Sequence, residues 1–170
     1  GELAEVIFFD RALNEAERVV VQNYLSSKYD ISLASNDKYA HDTVSRDYSY
    51  DVAGIGADRA DPADPLETHL SSKSSIIEFS ATSFSGDGQY VFTGHDNKDA
   101  SSFGFESTEP VNGLSSNVER MEREWSVDLS GIASKTVTVS IAGPGAAAGS
   151  DLPAKSNSSF EYLLFVDSGD

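Results

Sequence analysis

Apolar and polar positions follow two rhythms along this chain, and the change comes near residue 39. Leu3-Ala4-Glu5-Val6-Ile7-Phe8-Phe9 is an almost unbroken run of apolar residues, rich in β-branched and aromatic types, and predicts a strand. After the connection Asp10-Arg11-Ala12-Leu13, Asn14 stands as an N-cap with Glu17 three positions on, the pattern in which each side chain satisfies a backbone donor left over by the helix start. Val20, Val21, Tyr24 and Leu25 then recur at helical spacing on one face. These signals predict a helix from about Glu15 to Lys28, the one long helix of the chain.

Beyond residue 39, short apolar or alternating segments recur between turn signals: Asp51–Ile55, Ser75–Phe79, Gln89–Thr93, Glu124–Leu129, Thr136–Ile141 and Glu161–Val166. Gly54, Gly56, Gly86-Asp87-Gly88, Gly94, Gly113, Gly131 and Gly143-Pro144-Gly145 punctuate them. Many short strands separated by turns predict a mainly β protein, an antiparallel β-sandwich with the N-terminal helix packed against it. Thr136–Ile141 is the plainest half-buried strand, with Val137, Val139 and Ile141 inward. Phe84–Gly88 reads as a hairpin turn, the acidic and Pro-bearing stretch Asp58–Pro65 as an exposed loop, and Gly143–Ser150 as a loop or linker. No internal repeat is visible. A lone strand and helix are unstable by themselves in water, so residues 1–33 are expected to dock on a sandwich built from residues 34–170.

Charge narrows the partners. With 28 acidic against 12 basic side chains the net charge is −16, and no Lys/Arg cluster exists to displace counterions from a nucleic acid or to meet an anionic membrane. No apolar run is long enough to span a bilayer. The absence of cysteine removes thiol catalysis, Cys-type zinc sites and disulfides. Abundant Ser, Thr, Asp and Gly with little Lys suits an extracellular bacterial module. Gly1 leads almost directly into a strand and Phe165–Asp170 ends in a turn-like sequence, so the chain reads as a piece of a longer polypeptide.

Two segments carry a family resemblance. Glu2–Leu13, with the helix reaching Tyr24-Leu25 and Lys28-Tyr29-Asp30-Ile31, resembles the closing strand, turn and helix of a laminin-G-like lectin module. Tyr50-Asp51-Val52-Ala53-Gly54-Ile55-Gly56 resembles the hallmark of a β-rich module that commonly follows it, and Arg120–Val127 and Tyr162–Asp167 are similar to that module's later strands. The resemblance implies a segment of a large secreted or surface-anchored bacterial adhesin, including calcium-dependent RTX-type ones. The body of the lectin sandwich is absent from these residues, so no sugar site is carried over. An insertion of the lectin module that splits this domain is one arrangement the resemblance allows.

Candidate chemistry is sparse. Asp58, Asp61 and Asp64 lie three apart on one loop, where carboxylates converging on a hard cation would form a calcium site, and Asp96-Asn97-Lys98-Asp99 is a second oxygen-rich turn. Neither matches an EF-hand loop, and the plainer reading of both is a solvated acidic turn. Calcium is the one candidate cofactor. His41, His69 and His95 have no metal-binding spacing and read as surface or turn residues. No G-x-S-x-G elbow is present, no glycine loop leads into a helix as phosphate binding requires, and Gly54 and Gly56 read as a bulge or a close backbone approach. With so many acids, a glycosidase-like carboxylate pair carries no information. Trp125 alternates with Val127 and Leu129 and is expected in the core. Tyr39, Tyr48 and Tyr50 are the candidates for an exposed ligand-binding patch, and Arg120 and Arg123 for cross-strand ion pairs with Glu119, Glu122 and Glu124.

The expectation is therefore a non-enzymatic structural or adhesion module that supports a neighbouring ligand-binding domain of the same polypeptide. A second copy of the chain, meeting it through a strand edge, and a glycan are the other partners considered. The alternatives are a carbohydrate-binding module with its own site and an accessory domain of a secreted glycan-degrading enzyme.

Overall fold

A computed structural model describes residues 3–43, 45–101, 119–141 and 152–155, together with 161, 164 and 166. Its elements are helix α1 (Glu15–Tyr29) and strands β1 (Tyr50–Asp58), β2 (Glu67–His69), β3 (Ser71–Ser74), β4 (Ile77–Ser80), β5 (Gln89–His95), β6 (Trp125–Ser130) and β7 (Thr138–Ile141). The strands make two antiparallel sheets, ordered β2-β1-β5-β6 and β3-β4-β7. The mainly β architecture with one helix packed on a sheet is the one the sequence predicts.

The helix starts where its capping box stands. Asn14 Oδ1 accepts from Glu17 N at 2.9 Å, and Asn14 N donates to Glu17 Oε2 at 3.0 Å. Arg11 holds the same Glu17 carboxylate with both terminal guanidinium nitrogens, at 2.6 and 2.7 Å. A further helix-start donor, Glu15 N, reaches Glu67 Oε2 on β2 at 2.6 Å, and Asn14 Nδ2 donates to Thr68 O at 3.1 Å. The cap thus docks the helix on the sheet as well as starting it. Asp30 ends the helix in the left-handed region, its N–H returning to Ser26 O.

The helix buries Ala16, Val19, Asn23 and Ser26, a stripe beside the expected one; Val20, Val21, Tyr24 and Leu25 are only half-buried. β1 and β5 are buried on both faces, as central strands are. On the helix side, Val52, Tyr90 and Phe92 join Ala16, Val19 and Tyr39 in one core cluster. On the other side, Ala53, Ile55, Ala57 and Val91 pack against Phe79 and Phe84, with Val137 at the margin. The molecule is layered as helix, sheet, sheet.

Several local expectations are corrected. Residues 3–9 form no strand; they run outside any sheet with Leu3, Val6, Phe8 and Phe9 exposed. Ser75–Phe79 is not one strand, because Ser75 (φ 55°) and Ile76 turn the chain so that β3 and β4 form a hairpin. Phe84–Gly88 is a turn but not a hairpin, since it carries the chain from β4 in one sheet to β5 in the other. The last expected inward strand begins only at Thr138, and Val139 is 48% exposed although it shares a face with buried Phe79 opposite it. Among the described residues β7 is the outer strand of its sheet. The expected strand Glu161–Val166 lies partly outside the described residues, and its positions 161, 164 and 166 are in no strand. Gly143–Ser150 lies wholly outside them.

Candidate functional site

The most elaborated polar site sits where β1 begins and β5 ends. The β1–β5 register slips between Tyr50 and Ala53, and Asp51 takes a left-handed φ of 46°. Such a bulge re-aims a side chain, and here it turns the exposed Asp51 carboxylate onto His95, with Oδ2 3.0 Å from Nε2. His95 is 2% exposed. Its Nδ1 accepts the Asn97 N–H at 3.0 Å, which assigns the ring proton to Nε2, pointing at Asp51. The Tyr50 ring stacks on the imidazole at 6.1 Å, and Trp125 meets it edge-on at 6.0 Å. Burial pulls the His95 pKa below its ordinary value and the Arg123 charge adds to that, while Asp51 and Asp96 pull the other way. The surface-histidine expectation is corrected for this residue. The sequence carried one signal: His95 lies two residues beyond the expected strand Gln89–Thr93, in phase with Val91 and Thr93.

With both nitrogens engaged, His95 offers no free base. It acts as a lock between the bulge and the loop after β5. A group whose pKa is lowered by folding takes up protons less readily folded than unfolded, so its share of stability is present above the unfolded value, about 6.5. That share is lost as pH falls through 6.5 toward the lower folded value. His69, half-buried beside Glu17, is shifted down by burial and adds to the same slope. We expect the melting midpoint to drop on acidification in this window and His95→Phe to flatten the drop; a slope unchanged by the substitution would refute the lock.

A second cluster joins residues 85 apart in sequence. His41 Nδ1 lies 2.5 Å from Ser126 Oγ, and its Nε2 lies 2.7 Å from Arg46 Nη1 and 3.8 Å from Asp128 Oδ1. The trio Ser126, His41 and Asp128 has hydrolase residue types in the wrong protonation. A guanidinium always donates, so Nε2 accepts from Arg46, and Nδ1 carries the proton and donates to Ser126. Ser126 is left without a base. With Ala40 N donating to Asp128 Oδ2 at 2.7 Å, the cluster fastens the loop after α1 to β6.

The expected calcium loops are braced by their own hydrogen bonds. Asp58 accepts from Arg59 N and from the Tyr90 hydroxyl, Asp61 from Ala63 N, and Arg59 Nη1 donates to the Pro62 and Asp64 carbonyls. Asp96 Oδ1 accepts from Lys98 N and Glu124 N, and Asp99 accepts from Ser101 N and its hydroxyl. Among the described residues no three His, Asp or Glu side chains converge as a cation site.

The three tyrosines do not form one patch. Tyr39 is buried at 1% exposure, its hydroxyl donating to Tyr48 O at 2.7 Å; Tyr48 is half-buried and Tyr50 is 43% exposed. Trp125 is half-buried, with its Nε1 buried and unpartnered among the described residues, while Val127 and Leu129 stand exposed; the expectation of a core stripe is corrected. Arg120 pairs with Glu124 four residues on, and Arg123 donates to the Lys98 carbonyl and the Ser75 hydroxyl. Neither contact is the cross-strand ion pair expected of them.

Fold and site together define a mainly β module, helix-backed, whose polar clusters fasten its own elements. Residues 17–170 match the profile of DUF8202, a domain of unknown function, and the chain belongs to that family. No curated protein and no solved structure matches it. Among the described residues no helix is long and apolar enough to cross a membrane.

Proposed function

We propose that the chain is a non-enzymatic structural module of a large secreted or surface-anchored bacterial adhesin, docking on and positioning a neighbouring ligand-binding domain of the same polypeptide. The observation that supports this is the segment at residues 3–9. It leaves Leu3, Val6, Ile7, Phe8 and Phe9 exposed at 79%, 55%, 38%, 91% and 48% in a chain otherwise dominated by acidic surface. Contiguous apolar exposure of that kind marks a contact surface. The segment is also held in place: Glu5 accepts from Lys28 Nζ at 3.0 Å and from the Tyr29 hydroxyl at 2.7 Å, which ties it to the end of α1.

Hydrogen exchange tests the reading. In a longer natural polypeptide that carries this chain, the amides of residues 3–9 are expected to be protected, and in the 170-residue chain to exchange freely. Fast exchange in both overturns the proposal. A glycan screen in calcium and again in EDTA addresses the carbohydrate-binding alternative. No specific binding is expected in either buffer; binding that EDTA abolishes would overturn the proposal and give Asp58, Asp61 and Asp64, or Asp96 and Asp99, a ligand role.

A further inference from the structure

β6 is the outermost strand of its sheet, paired with β5 on one side and with no described strand on the other. Val127 lies opposite Thr93 and Leu129 opposite Val91, so Trp125, Val127 and Leu129 face the same way as the Val91 core, toward the second sheet. That sheet does not cover them: Val127 is 59% and Leu129 39% exposed. Ser126 and Asp128 face the helix side and are held there by His41 and Ala40. Edge strands are ordinarily guarded by Lys, Pro or a bulge. β6 contains no Lys, Arg or Pro, its one charge, Asp128, is engaged by Ala40 N on the helix side, and its register with β5 runs unbroken from Trp125 to Ser130.

We propose that β6 is where two copies of this chain associate, pairing antiparallel to continue the sheet across a two-fold axis. A two-fold axis that continues an antiparallel sheet stands perpendicular to it, so directly opposite residues share a face. Charge then excludes two of the registers. An axis through Asp128 sets that carboxylate against its own copy, and an axis through Ser126 sets Glu124 against Asp128. Both place like charges opposite one another, which destabilises a pair. An axis through Val127 puts Val127 on its copy, Trp125 on Leu129, Ser126 on Asp128 and Glu124 on Ser130. It opposes no two acids, as an axis through Leu129 also does, but that axis sets Val127 against Gly131, whereas the Val127 axis pairs the apolar residues of both stripes with one another. The interface is separate from residues 3–9 and does not rest on the docking role assigned to them.

Each copy carries a charge of −16, so the approach of two copies is opposed at low salt and eased by screening. Sedimentation equilibrium of the 170-residue chain is expected to show twice the 18.2 kDa protomer mass, with tighter association as salt is raised. Val127→Lys, which sets a lysine against its copy at an exposed position, is expected to weaken the dimer by at least about tenfold and to leave the melting midpoint of the monomer unchanged. A protomer mass at every salt and protein concentration overturns the proposal. So does a dimer that Val127→Lys leaves intact, and so does a monomer whose midpoint falls on that substitution, which would show β6 covered from within the chain.

Discussion

Replacing Asn23 with leucine is expected to cost about 4 kcal/mol, counting two or three orphaned polar groups at about 1–3 kcal/mol each. Asn23 is 1% exposed and its amide is fully used. Nδ2 donates to the Val19 and Asn36 carbonyls, both at 2.8 Å, and Oδ1 accepts from Lys38 N at 2.8 Å and Tyr39 N at 3.0 Å. Leucine fills a similar volume and suits a helix at least as well. The loss therefore comes from the Lys38 and Tyr39 N–H groups and the Asn36 carbonyl, which lose their partner where water does not replace it. Those bonds place Tyr39 in the helix-side core, so loosening should spread to the loop that carries His41. Gln22→Leu, next along the helix at an exposed position, is the control and is expected to change little. Chemical denaturation of both variants checks the contrast; equal, small losses would mean that the amide is not the anchor of this loop.

Gly56→Ala is expected to cost about 3 kcal/mol, the upper part of the range for overpacked interiors. In a domain of this size that is a fall in melting midpoint on the order of 10 °C. A Cβ at Gly56 would lie 2.2 Å from Tyr90 Cδ1 and 2.5 Å from the Gln89 carbonyl oxygen. The ring is fully buried, and the carbonyl belongs to the paired strand, so neither can withdraw cheaply. Gly54 stands two residues earlier on the same face, with Phe92 Cε1 at 2.5 Å from its own hypothetical Cβ. The two glycines let the aromatic rings of β5 lie over β1 beneath the helix. The close approach expected of them is what they provide; the bulge falls at Tyr50–Ala53 instead. Gly88→Ala makes a useful contrast. Its φ of 67° disfavours a side chain, but the nearest atom is Lys38 Nζ at 3.8 Å, so only the backbone cost of about 1 kcal/mol remains. Calorimetry that ranks Gly88→Ala above Gly56→Ala would contradict this packing.

Those two positions show where sequence reading succeeds and where it stops. Asn23 is a polar residue within the helix, and nothing within a turn of it announces the loop it binds. Gly54 and Gly56 announce a close approach, but not which rings make it.

The amino-acid sequence by itself determined the fold class, the start of α1 and most of the strands. Each of these rests on interactions a few residues long, such as the Asn14–Glu17 box, or on a period that the backbone imposes. Only the tertiary structure decided which apolar residues are covered. Residues 3–9 and the Val127–Leu129 stripe of β6 carry patterns as good as those of β1 and β5, yet these apolar residues lie exposed, because burial depends on where a second layer overlaps an element and not on the element's own alternation. The same holds for the polar sites. Asp51 meets His95, and His41 meets Ser126, through strand register and a bulge, and these relations between distant segments leave no local spacing to find.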